Sequence, residues 1–172
     1  MTLIDTTTST ESADLLESLR THRGFLLHTV RGLDDEQARR RTTVSALCLG
    51  GLVKHVTATE RQWAGFIVEG APAMATGADG QDEWADGFSL VGGETLAEVV
   101  AEYEAVAART DELVTSLPDL GASHELPAAP WFAPGARWSA RRVLLHLVAE
   151  TAQHAGHADI LRESLDGQKT MG

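Results

Sequence analysis

The chain has 172 residues, one cysteine and a formal net charge of −11. That length suits a single domain with a self-sufficient core, while the charge argues against non-specific binding to nucleic-acid phosphates and against docking on an anionic membrane. The lone Cys48 excludes an internal disulfide framework. No apolar run reaches the ~18 residues of a membrane span, and the opening MTLIDTTTST lacks the basic and apolar stretches of a signal peptide. The expected location is the cytoplasm. Ala, Leu and Val supply most of the apolar content and aromatics are few, which points to a helical protein.

Residues 1–11 read as a disordered, Thr-rich tail. A first helix is expected from about Ser12 to Arg31, with Leu15, Leu19, Leu26 and Val30 on one buried stripe and Gly24 weakening its middle. Residues 32–43 form a polar connection with room for one short helical turn. The second helix starts near Ser45 and runs to Glu69, with Cys48, Leu52, His55, Thr59, Trp63 and Phe66 facing inward. Gly50 and Gly51 lie in its first turns, where they would let a neighbouring backbone come close.

Residues 70–93 make a long loop, with Trp84 and Phe88 as its anchors. A connection of that length inside one domain points to a crossover or a lid. Thr95 and Glu98 form a capping box for a third helix that runs to Leu117, where Pro118 ends it. A second loop, 118–137, holds Trp131 and Phe132 among three prolines. Ser139 caps a fourth helix that continues to Asp166 and stops at Gly167. No strand shows convincing alternation. The expected fold is all-α: a four-helix bundle over 12–167, with a short tail at 168–172 and long connections between helices two and three and helices three and four. Such connections suit a topology in which helices two and three run parallel.

The chemistry concentrates on the last helix. At about 100° per residue, positions 146, 150, 154 and 157 fall within roughly 80° of one another, on the stripe that carries Val143, Leu147 and Leu161. Glu150 and His154 lie one turn apart and can reach a common point beside the helix. His55 comes within reach if the second and fourth helices pack together. Two imidazoles and a carboxylate form an established zinc ligand set that also suits nickel or iron, and three protein ligands leave a coordination position open.

The remaining candidates have simpler readings. His146 is expected to pack in the core. His157 is open between a fourth ligand, a proton carrier and a contact to the chain's own loops. His22, His28 and His124 are expected to be exposed, and Cys48 is read as a small core thiol, too far along its helix to chelate with His55. Glu60 is either a partner behind the ligands or a solvated charge. Trp63, Trp131 and Trp138 fill space or wall a pocket. Arg39 to Arg41 make a solvated turn. Arg141 and Arg142 sit at a helix start, where the macrodipole disfavours cations, which leaves room for an anion-binding role.

Two segments, SALCLGGLVKHVTATERQW (45–63) and WSARRVLLHLVAETAQHAGHADILRESLDG (138–167), resemble the DinB-like superfamily. They are most similar to its branch of short actinobacterial proteins, related to the metal-binding domain of mycothiol-dependent maleylpyruvate isomerase and to the bacillithiol transferases. The resemblance covers roughly residues 12 to 167. It implies a four-helix bundle with a divalent metal, zinc or nickel, held by a histidine of helix two and two residues four apart on the last helix. His55, Glu150 and His154 match those places. His157 is a departure, because the simplest family pattern does not require it. The isomerase's further C-terminal domain has no counterpart here, so maleylpyruvate is not carried over.

The resulting expectation is a metal-dependent S-transferase or isomerase using mycothiol or another low-molecular-weight thiol on a small-molecule substrate. His55, Glu150 and His154 would hold the metal, zinc first among the candidates, and His157 would move a proton. The residues themselves lead as far as a metal; the thiol comes from the resemblance. The alternatives are a hydrolase that uses metal-bound water and a non-catalytic, metal-stabilised stress-response or binding protein. Spare apolar surface leaves a homodimer open.

Overall fold

The computed structural model describes residues 10–74 and 87–170, whose α-helices are α1 (Thr10–Val30), α2 (Asp35–Arg39), α3 (Leu49–Glu69), α4 (Leu96–Ser116) and α5 (Ala140–Asp166). A 3-10 turn at Ala71–Met74 follows α3, and a small hairpin pairs β1 (Ser123–Glu125) with β2 (Arg137–Ser139). The four long helices form the expected bundle. Among the described helices, none is long and apolar enough to cross a membrane.

Local signals explain most element ends. Thr95 and Glu98 close the expected capping box on α4, and Asp34 with Gln37 closes another on α2. Ser139 accepts a hydrogen bond from the Arg142 amide at the start of α5, and Gly167 ends it in the left-handed conformation, at φ 81°. At the other end of α1, the buried Arg162 donates to Thr29 O (2.8 Å) and Arg31 O (3.0 Å), satisfying carbonyls that the helix leaves open.

Three expectations shift. α1 begins at Thr10, so the last two residues of the expected 1–11 tail are helical. α3 begins at Leu49 after Cys48, because the Ser45 hydroxyl accepts from the amide of Leu47 in a local turn and is not free to cap a helix. The hairpin was not expected: its strands are three residues each, too short to display alternation.

Side-chain pairings fix the topology. Lys54 meets Glu94, and Arg61 meets Glu102, so α3 and α4 run parallel. His55 meets Glu150 while Trp63 meets His146, so α3 and α5 run antiparallel. Glu11 pairs with Arg141 and Thr29 with Arg162, so α1 and α5 run parallel. The bundle is up-down-down-up.

The core has two apolar clusters. One gathers Leu26, Val30, Leu52, Val56, Tyr103 and Leu161; the other gathers Leu19, Trp63, Phe66, Val114, Val143 and Leu147. Between them, at mid-height, the buried positions turn polar: Arg23 on α1, Glu60 on α3, Thr110 on α4 and Thr151 on α5. Arg23 Nη2 donates to Glu60 Oε1 at 2.5 Å, and Arg23 Nη1 to Asp111 Oδ1 at 2.7 Å. Glu60 is therefore neither a solvated charge nor a partner of the candidate ligands; it is wholly buried against Arg23. Removing Arg23 strands the wholly buried Glu60 carboxylate, at a cost of about 3–5 kcal/mol, whereas an apolar pair of similar volume is tolerated. R23A should lose stability in that range in urea unfolding, and R23M/E60L should recover most of it. An R23A loss below ~1 kcal/mol would show that the pair does not carry the mid-bundle layer.

Candidate metal centre

His55 lies one turn along α3 from Gly51, and Glu150 and His154 lie one turn apart on the facing α5. One donor atom of each falls within 4.8 Å of the others. Nε2 of His154 is 3.5 Å from Glu150 Oε1, and Nε2 of His55 is 3.7 Å from the same oxygen. Direct hydrogen bonds of this kind are about 2.7–3.2 Å long, so both separations are too long for good ones. They lie close to the ~3.3 Å edge of a tetrahedron whose corners sit about 2.0–2.1 Å from a central zinc. The donor set and its spacing fit a divalent cation. The three side chains remain 19 % (His55), 26 % (Glu150) and 11 % (His154) exposed, so the centre opens on one side.

Packing orients the rings. His55 stacks on Phe88 with centroids 4.0 Å apart and planes 21° apart, and meets His154 edge to face at 4.8 Å. Phe88 reaches His55 because its backbone lies directly on Gly51, where an added Cβ would sit 1.8 Å from Phe88 O. The close approach expected of Gly50 and Gly51 is thus made by the loop after residue 86, with Leu90 against Gly50. Lys54 Nζ fastens the same loop through Ser89 O (3.3 Å) and Glu94 Oε2 (2.9 Å). Nδ1 of His154 is buried with no hydrogen-bond partner among the described residues. Its ring is held by its neighbours instead of by the acceptor that usually fixes a ligating imidazole.

Electrostatics favour an ionised carboxylate. The imidazoles of His154 and His55, in that order, hold the Glu150 carboxyl well below its usual range, against the opposing effect of partial burial.

The other singled-out residues fall into place around this centre. His157 meets His154 edge to face at 5.5 Å and, among the described residues, is not one of the converging donors and has its buried Nδ1 without a hydrogen-bond partner. His146 packs edge-on against Trp63 (4.9 Å) and Trp138 (5.3 Å), and burial lowers its pKa from the usual histidine value. Trp63 is buried and stacks on Trp138 at 4.7 Å; Phe132 meets Trp138 edge-on, and Trp131 is 77 % exposed. Trp84 lies outside the described residues.

Several polar expectations need correction. His28 is exposed, but His22 is half-buried beside Phe25, and His124 packs on Gly70 with its Nε2 3.2 Å from Ile67 O. Arg39 bonds the carbonyls of Asp35 and Glu94, so the basic turn is anchored at that position. Arg141 is taken by Glu11, which leaves Arg142 of that pair without a carboxylate among the described residues. The buried Arg23 and Glu60 were legible in principle. Each breaks an otherwise apolar stripe, between Leu19 and Leu26 and between Val56 and Trp63.

A carboxyl whose pKa is depressed by folding adds stability above its unfolded value, near 4.3, and loses it as pH falls toward the folded value. In chelator-treated protein, the melting temperature should therefore drop as pH is lowered from about 6 to about 3, and E150Q should flatten that part of the profile. Parallel profiles for parent and E150Q would show that the two histidines do not hold the carboxylate.

The family model for mycothiol-S-transferase matches residues 14–167, in agreement with the resemblance carried by segments 45–63 and 138–167. No curated protein matches the chain. The matched span takes in the whole bundle together with His55, Glu150 and His154, and the chain belongs to the mycothiol-S-transferase family.

Proposed function

We propose that this protein is a metal-dependent S-transferase that takes mycothiol as its thiol and joins its sulfur to a small electrophile. The observation that carries the reading is the convergence of His55, Glu150 and His154 at a half-open position on the inner faces of α3 and α5. The family match supports the thiol. A divalent cation bound there, zinc before nickel or iron, would supply the positive charge that favours thiolate over thiol.

The chain's own residues have separable tasks. His55, Glu150 and His154 hold the cation. Phe88 covers one face of His55, keeps water from that side and fixes the ring plane. Burial of His157 Nδ1 leaves Nε2 as the nitrogen that can reach solvent, and we assign it the thiol proton. Trp131 and Phe132 stand on the loop beside Trp138, at the side from which an apolar electrophile would approach.

Elemental analysis of tag-free protein tests the centre. We expect near-stoichiometric divalent metal in the parent and its loss in H55A and H154A. A parent that is empty and also refuses added zinc and nickel would remove the reading. H157Q should keep its metal while turnover of a thiol and a model electrophile falls about 100-fold. Unchanged turnover would return His157 to a packing role. Turnover that proceeds equally well without thiol would move the reaction to hydrolysis.

A further inference from the structure

The face of α5 turned away from the bundle carries an exposed ridge without a charge between its ends. Leu145, Ala149, Gln153, Gly156 and Ile160 follow one another at spacings of three and four, which keeps them on one line of the helix. Leu145 is 49 % and Ile160 60 % exposed, two large aliphatic side chains on one strip of surface. Gly156 stands in mid-helix, where glycine weakens a helix, yet an added Cβ there would meet nothing within 4 Å. Among the described residues, no contact inside the chain accounts for that glycine.

The ends of the helix carry their charges against the macrodipole. Arg141 and Arg142 lie in the first turn, and Glu163 and Asp166 in the last, the reverse of the favoured order. Arg141 is paired with Glu11 and Asp166 with Arg162. Arg142, which lies over the Trp138 ring, and Glu163 have no ion-pair partner among the described residues. These two are the residues that continue the ridge at either end.

The ridge is the same in kind read from either end. Positions 142 and 163, 145 and 160, and 149 and 156 lie at equal distances from a midpoint between Ala152 and Gln153. The pairs match in turn as opposite charges, as large aliphatics and as small residues. Scattered exposed aliphatics are ordinary on a protein surface; a symmetric order with complementary charged ends is what a two-fold interface requires. A different protein's helix would call for no such internal symmetry.

We propose that this face of α5 seats a second copy of the chain as an antiparallel, two-fold helix pair. Arg142 of each protomer meets Glu163 of the other, Leu145 meets Ile160, and Ala149 meets Gly156 where the two helices come closest. The ridge from 142 to 163 is about 32 Å long. One helix pair is a small contact beside the ~800 Å² per partner of stable complexes, so the dimer dissociates on dilution in the micromolar range. The inference rests on neither the metal nor the thiol.

Sedimentation velocity of the full chain, from about 1 to 500 µM at low salt, reads the association. The parent should pass from monomer to dimer within that range. R142E and E163R each set like charges at both ends of the pair and should raise the midpoint at least about 10-fold. Mixed one to one, the two variants should form a heterodimer, because both acidic ends of one chain then meet basic ends of the other. R142E/E163R keeps the net charge of −11 and should restore self-association to within about 3-fold of the parent. I160E tests the middle of the ridge independently of its ends and should also hold the chain monomeric. Both charge changes agree with the helix macrodipole, so helicity and melting temperature should stay at parental values. A parent that is monomeric at about 500 µM overturns the proposal. So does a dimer that survives R142E and I160E, or a mixture of R142E and E163R that associates no better than either alone.

Discussion

The parallel run of α3 and α4 is the constraint from which the candidate site follows. A helix of 21 residues is about 30 Å long, so a chain leaving α3 at one end must return that distance before α4 can start beside its beginning. The returning chain lands on the first turns of α3. Only a position without a Cβ lets a backbone pass there, and Gly51 supplies it for Phe88. One turn later along α3 stands His55, and Phe88 therefore comes to rest on its ring. A short hairpin loop between antiparallel helices would have left that face of His55 bare. The long connection, read along the sequence as a crossover or a lid, is the means by which one wall of the site is built.

The bundle also divides its mid-height polarity between two sides. On the side of α1 and α4, Arg23, Glu60 and Asp111 neutralise one another with little contact with water. On the side of α5, the donors of His55, Glu150 and His154 converge without good hydrogen bonds among themselves and keep partial access to solvent. The physical difference is one of satisfaction. The first group is closed because each charge already has its partner at bonding distance. The second has one donor atom of each residue within 4.8 Å of the others and no close hydrogen bond between them. Two apolar clusters above and below hold both groups in register.

Around the second group the chain arranges graded surroundings. The His146 imidazole sits against two indoles, Trp138 carries the guanidinium of Arg142, and Trp131 stands out in solvent beyond Phe132. A family that transfers a thiol sulfur needs a place for the thiolate and a place for its acceptor. The imidazole–carboxylate centre is the place proposed for the first, and the aromatic cluster of Trp63, Trp138 and Phe132 stands beside it.

Much of this was legible in the sequence because it is local. The capping box at Thr95, the cap at Ser139, the stop at Gly167 and the stripe shared by Glu150, His154 and His157 depend on residues within a turn or two of one another. The paired glycines foretold a close backbone approach, but not that Phe88 and Leu90 would make it. What the sequence alone determined was the set of helices and the chemistry each face carries. Tertiary structure decided which faces meet. His55 joins Glu150 because α3 and α5 pack antiparallel at that level, Arg23 finds Glu60 across 37 positions, and the hairpin exists because β1 and β2 meet beneath the start of α5. These are long-range contacts whose formation depends on packing, and periodicity within a single helix carries no information about the partner on the next.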